Sequence, residues 1–328
     1  MVIKRYQLIR HRKADAVADL SQGDFLAVGK RALYKNKKIE TVILSSRVSA
    51  VKAQAFAKCK NLKTVVLNSD GSVGISTAAF ADCHQLEQIE NSQNLTTVGK
   101  NAFKNCTRLE KIDFGPTMRR IGEGAFEGCR ALKEIKLHNG IKIIEKNAFS
   151  GCVNLEKADL GEARAVISRG MFRNCILLTE AEIPNTVREI QADAYRGCEA
   201  LTQLTLPDGV KRVGKRSFFG CSNLKNATTG SNCCRIGAFC FANDPALEQV
   251  TLSNAVKSLG FGAFGLKKRI NKIQICVNNE YMLRKIRRQL LLCGSFRCAE
   301  AVMVGKTIAE RKRERHRSKL DQEAAHIS

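Results

Sequence analysis

The chain has 328 residues, 44% of them hydrophobic, four prolines and no tryptophan, which supplies a continuous core and excludes wholesale disorder or a proline-rich ligand segment. Lys and Arg number 55 against 31 Asp and Glu, a net +24; such an excess suits nucleic acid, an anionic membrane face or an acidic protein, or else is a solvated surface with no partner. No run of 18 apolar residues occurs, so no transmembrane helix is expected.

Residues 1–27 read as an N-terminal cap. Lys4, Arg5, Arg10, Arg12 and Lys13 do not lead into an apolar stretch, because Asp15, Asp19 and Asp24 interrupt residues 14–27. A secretory signal is therefore not expected, and the reading is a cytoplasmic protein, with unconventional surface export left open.

From there the chain repeats itself. Phe56, Phe80, Phe103, Phe126, Phe149, Phe172, Tyr195, Phe218, Phe241 and Phe264 are spaced by 24 residues once and by 23 thereafter, and one further step back reaches Leu33. A period in this range marks a solenoid, in which no unit buries its own apolar face. In the unit around Phe126 the apolar positions are Ile121, Ala125, Phe126, Cys129, Leu132, Ile135 and Leu137. The Leu132–Leu137 segment ends in alternation, the pattern of a short strand with one buried face.

Cysteine comes three residues after eight of the ten core aromatics, at Cys59, Cys83, Cys106, Cys129, Cys152, Cys175, Cys198 and Cys221. Zinc needs ligands that converge, whereas this row points one way, so the reading is core thiols in a reducing compartment and no metal. The residue before the cysteine is Asp82, Asn105, Gly128, Gly151, Asn174, Gly197, Gly220 or Asn243, with Lys58 outside the set. These types tolerate a positive φ, so a left-handed corner is expected there.

The pattern Ile-Gly-x-x-Ala-Phe-x-x-Cys-x-x-Leu-x-x-Ile-x-Leu, nearly whole in residues 98–112 and 121–137, resembles the BspA-like (treponemal-type) leucine-rich repeats. The resemblance runs from about Val28 to about Ile275. It implies a right-handed leucine-rich repeat solenoid, poor in helix, of about eleven 23-residue coils with one parallel strand per coil. It also implies binding through the strand face and no common catalytic activity. Departures gather at the C-terminal end, where Asp244 and Lys267 replace the cysteine, Cys240 replaces the alanine and Ile270 stands for the leucine.

The repeat domain is placed at 28–276, and residues 277–328 as a helical cap and basic tail. Residues 281–291 place apolar side chains at helical spacing, which suits a helix covering the open end better than one lying on a membrane. Arg311, Lys312, Arg313, Arg315 and Arg317 make the tail basic.

Phasing also sorts the charge. The exposed strand positions carry six basic and eleven acidic residues, while the repeat body, 21–266, is +11 overall. This gives a mildly acidic strand face and a basic back, with neighbouring Glu110, Glu134 and Glu156 expected to pair with Lys111, Lys133 and Lys157. Phosphate binding wants clustered cations and single-strand binding wants exposed aromatics, and nearly all phenylalanines sit in the core slot.

Catalytic signals are weak. Gly260-Phe261-Gly262-Ala263-Phe264-Gly265 matches a dinucleotide fingerprint in letters, but its glycine and Ala-Phe are ordinary repeat positions. The five histidines have no phased nucleophile or carboxylate. A monomeric, non-enzymatic interaction scaffold without cofactor or metal is expected. Its partner-binding candidates are Glu87, Glu110, Lys111, Asp113, Lys133, Glu134, Lys136, Glu156, Lys157, Asp159, Glu180 and Glu182. The alternative is binding of nucleic acid or another polyanion by Lys211, Arg212, Lys215, Arg216 and the tail.

Overall fold

In the unit around Phe126 the chain lays down Arg120–Ile121, runs through consecutive turns, and then forms Glu134–Lys136. A computed structural model describes residues 2–3, 16–21, 25–67, 72–162, 165–180, 182–265, 273–277, 280–292 and 302–304. Repetition of this unit produces a parallel β-solenoid of about eleven turns.

Strands stack without stagger, apart from one register shift between Val73–Ile75 and Leu95–Val98. Glu134, Ile135 and Lys136 lie opposite Lys157, Ala158 and Asp159, each 23 residues on. Unstaggered parallel pairing sends every side chain to the same face as its counterpart, so the sequence period becomes rows on the molecule.

The strand face is a ladder in three parts. Val17–Leu20, Thr41–Leu44, Thr64–Leu67 and Gln88–Glu90 form the first; Glu134–Lys136 and Lys157–Asp159 the second; Gln203–Thr205, Asn226–Thr228, Gln249–Thr251, Gln274–Val277 and Val302–Val304 the third. The structure adds a second ladder of shorter strands just before the turns, such as Arg120–Ile121, Glu189–Ile190, Arg212–Val213, Arg235–Ile236 and Ser258–Leu259.

Between the two ladders the backbone turns while still bonding to the next coil. Asn101, Phe103 and Asn105 donate their N–H groups to the carbonyls of Glu123, Ala125 and Glu127 at 2.7–2.8 Å. This requires alternation of hand along the chain. The expected corner row is left-handed throughout, from Lys35 to Asn243, at φ 58–74°, and Lys58 does not break it: its φ is 62°. A second left-handed row stands four residues earlier, at φ 52–60°, and includes Arg31, Ala78, Arg216 and Phe239. At Gly122 the coils approach so closely that a Cβ would lie 2.7 Å from the backbone of Gly99.

The core is a column. The ten aromatic rings from Phe56 to Phe264 stack with centroids 5.1–6.0 Å apart and interplanar angles of 3–28°. All are buried, Tyr195 included. Beside them each cysteine thiol donates to the carbonyl of the preceding coil's core residue, as Cys106 does to Phe80 at 3.3 Å and Cys129 to Phe103 at 3.2 Å. From Cys83 to Cys221 burial pushes the pKa of these thiols up, that of Cys152 to about 12.

Asp244 occupies the cysteine slot one coil later. It is buried, neither carboxylate oxygen has a hydrogen-bond partner among the described residues, and burial drives its pKa well above the usual carboxylate range.

The helix Glu280–Leu292, α1, closes the C-terminal end. Met282, Leu283, Ile286 and Leu290 are buried against the last strands. Lys285 Nζ and Gln289 Nε2 donate to the carbonyls of Val256 and Lys257 at 3.1 and 2.7 Å. No helix among the described residues is long and apolar enough to cross a membrane.

Candidate interaction face

The strand face is interrupted where the first ladder ends. Asp113 N–H turns away from strand Gln88–Glu90 and donates to Ser92 Oγ at 3.0 Å. Ser92 is buried in the short 3-10 turn Ser92–Asn94, entered through left-handed Asn91 at φ 59°. Gly115 completes the break, because a Cβ there would run into the carbonyl of Gln93. The turn thus draws residues 111–115 inward and out of strand geometry, while Glu110 N–H still reaches Glu87 O at 3.3 Å.

A cleft of about 460 Å3 opens at this break, lined by Glu110, Lys111, Ile112, Asp113, Lys133, Glu134 and Lys136. Six of the twelve strand-face candidates therefore converge on one depression, three acidic and three basic. Ile112 is buried and forms an apolar floor. Sequence reasoning assigned it only to the core, since nothing in the repeat announces that the ladder opens above it.

The remaining candidates surround the cleft. Glu156, Lys157 and Asp159 lie on the adjoining coil, Glu87 on the coil before. Glu180 and Glu182 are exposed farther on, at the second gap in the ladder. The expected pairing of Lys133 and Lys157 with neighbouring glutamates is not present among the described residues. Instead Lys111 binds Asp113 within its own coil at 3.1 Å, and on this face the cross-coil pairs among the described residues are Lys63–Glu40 at 2.8 Å and Arg108–Glu87 at 3.1 Å. Exposed pairs of this kind contribute about 0.2–1 kcal/mol each, so the cleft's charges are available to a partner.

A second depression of about 550 Å3 lies along the corner row, where Gly128 and Gly151 carry no side chain between Asn105 and Asn174; Arg130 and Arg173 flank it. The basic candidates Lys211, Arg212 and Lys215 are exposed on the second ladder and the turn after it. Arg212 is held by Glu189 at 2.9 Å, and Arg216 lies over the ring of Phe239 at 5.7 Å. Arg311, Lys312, Arg313, Arg315 and Arg317 lie outside the described residues.

The described histidines serve turns: His138 Nδ1 accepts the N–H of Gly140 at 2.9 Å, and His84 Nδ1 sits 3.0 Å from Asn105 O. Among the described residues no group of three His, Cys, Asp or Glu is placed to hold a metal ion. In the dinucleotide-like segment Phe264 belongs to the core column, and Gly260 is the close-approach glycine of its coil.

A family model for the BspA-type leucine-rich repeat region matches residues 26–156 and 165–286 in six copies. The chain belongs to that family. Among solved structures it is similar to the pneumococcal vaccine antigen PcpA, at 18% identity and TM-score 0.47 over 88% of this chain and 85% of that one. A leucine-rich repeat protein from Bacteroides ovatus aligns at 20% identity and TM-score 0.48, over 84% and 87% of the two chains. A leucine-rich cell surface protein from Faecalibacterium prausnitzii aligns at 17% and 0.48, over 91% and 90%. No curated protein sequence matches.

Proposed function

We propose that the protein is a non-catalytic interaction scaffold that binds a protein partner through the strand face, centred on the cleft between Glu110 and Lys136. The observation that carries this reading is the break in the ladder. It converts a flat row of side chains into a concavity with an apolar floor and a rim of three anions and three cations. Such a rim suits a folded protein surface bearing both charges better than a polyanion, which the glutamates would repel. The buried thiol row, whose donors serve backbone carbonyls, is preserved in a reducing compartment, and the reading places the protein there.

The test is crosslinking capture from source cells at two salt concentrations, with partners identified by mass spectrometry. Reversal of Lys133, Glu134 and Lys136 together is expected to abolish capture of one defined partner and leave the thermal unfolding of the scaffold unchanged. Capture that survives this reversal contradicts the reading.

A second reading is polyanion binding by the second ladder. It is favoured by Arg235, which stands in register beside Arg212 on one side and Ser258 on the other. Glu189 already serves Arg212, so the row carries positive charge without an acid next to Arg235.

A further inference from the structure

The strand face changes character at the two-stranded piece of its ladder. Glu134–Lys136 and Lys157–Asp159 pair with each other between two interruptions, the inward turn of residues 111–115 and the gap at Glu180 and Glu182. Their register places Glu134 beside Lys157 and Lys136 beside Asp159. Just ahead of the strands, Glu156 N–H donates to the carbonyl of Lys133 at 2.8 Å. Along one coil the exposed charges therefore run plus, minus, plus, and along the next minus, plus, minus. The matching positions of the later strands are Gln203 and Thr205, Asn226 and Thr228, and Gln249 and Thr251, all uncharged. Glu110, Lys111 and Asp113 repeat the second pattern one coil earlier, but there Lys111 already holds Asp113 at 3.1 Å.

Within the chain the six charges of these two coils do not satisfy one another. All are exposed and none forms an ion pair among the described residues; Asp159 instead accepts the N–H of Gly161 at 2.9 Å. A surface that inverts its charge from one coil to the next is complementary to itself. A two-fold axis parallel to the strands, passing between the two coils, sets Lys133 against Glu156 of a second copy. The same axis sets Glu134 against Lys157 and Lys136 against Asp159, and each contact occurs twice. All six contacts join opposite charges. A slip by one coil moves the axis onto Lys133–Lys136 and sets each of these residues against itself, like against like, so the pattern also fixes the register. Beyond the two coils the match fades: Glu180 comes opposite Lys111, but Glu182 comes opposite Asp113.

We infer that two copies of this chain associate through this face, strand against strand, in a two-fold dimer, in place of the monomer expected from the sequence. The inference rests on the strand-face reading and names its occupant. A partner of another kind must be built to match the alternating pattern, whereas a second copy already carries it. A polyanion meets three carboxylates wherever it lies on these coils.

The test is analytical ultracentrifugation of the full chain at concentrations up to about 100 μM, which detects the micromolar constants of small interfaces. Two variants are compared with the wild type. One carries Lys133→Glu, Glu134→Lys and Lys136→Glu; the other carries Glu156→Lys, Lys157→Glu and Asp159→Lys. The wild type is expected to dimerise with rising concentration. Each variant alone should stay monomeric, because its reversed coil then meets like charges. An equimolar mixture of the two variants should dimerise again, since every facing pair is once more opposite, and this recovery shows that both variants are folded. A wild type that stays monomeric, variants that dimerise as it does, or a mixture that stays monomeric overturns the inference. Photo-crosslinking from position 133 separates this outcome from the strand-face reading. If the chain is monomeric and position 133 captures a different protein, the dimer falls and the reading stands; if it captures nothing, both fall.

Discussion

Two residue positions test how strictly each coil dictates backbone and charge. Ala78 is left-handed at φ 52°, in a row where four other coils have glycine or aspartate. A non-glycine residue there costs about 1–2 kcal/mol, more than the roughly 0.5–1 kcal/mol of chain entropy that glycine adds. Ala78→Gly should therefore stabilise the protein, by up to about 1 kcal/mol, reversing the usual sign for that substitution; chemical denaturation reads it directly. Asp244 makes the complementary prediction for charge. Its folded pKa is raised above the unfolded value of about 3.9 by burial. Its contribution to stability is thus fully present below about pH 4 and is lost as pH rises through the folded pKa. Asp244→Asn should narrow the drop in melting temperature between pH 4 and neutral pH. A variant that keeps the wild-type pH profile unchanged would show that the carboxyl is not buried as described.

At the scale of the element, the short strands bury few residues each, and their stability comes from neighbours above and below. The ends are consequently the weak points. Helix α1 inserts Ile286, fully buried, against the last coil. Ile286→Glu should detach the helix and expose an apolar end. The expected result is loss of about 2–4 kcal/mol from the C-terminal coils, or concentration-dependent end-to-end association, measured by hydrogen exchange and light scattering. The same logic explains the aromatic column: each ring contacts its counterparts, so one side chain supports three coils.

For the whole molecule, the 23-residue period made the architecture readable, because unstaggered stacking turns sequence slots into surface rows. The core column, the thiol row, the corner row and the capping helix were all legible in this way. What was not legible belongs to single coils. The second left-handed row carries Arg31, Ala78, Arg216 and Phe239, residue types that advertise no positive φ. The cleft depends on Ser92 accepting the N–H of Asp113, a contact between two coils that no periodicity encodes. The edge-on contact of Phe239 with Phe261 joins two different repeat slots, which the period does not announce.

The central claim is that a partner lands on the strand face at the broken ladder, and site-directed photo-crosslinking tests it most directly. A photoreactive amino acid is placed at Lys133, in the cleft, and in a separate protein at Lys52, an exposed position away from both the cleft and the basic edge. The account predicts a discrete protein adduct from position 133 that is absent from position 52 and persists at raised salt. Adducts that form equally from both positions, or from position 52 alone, would contradict it.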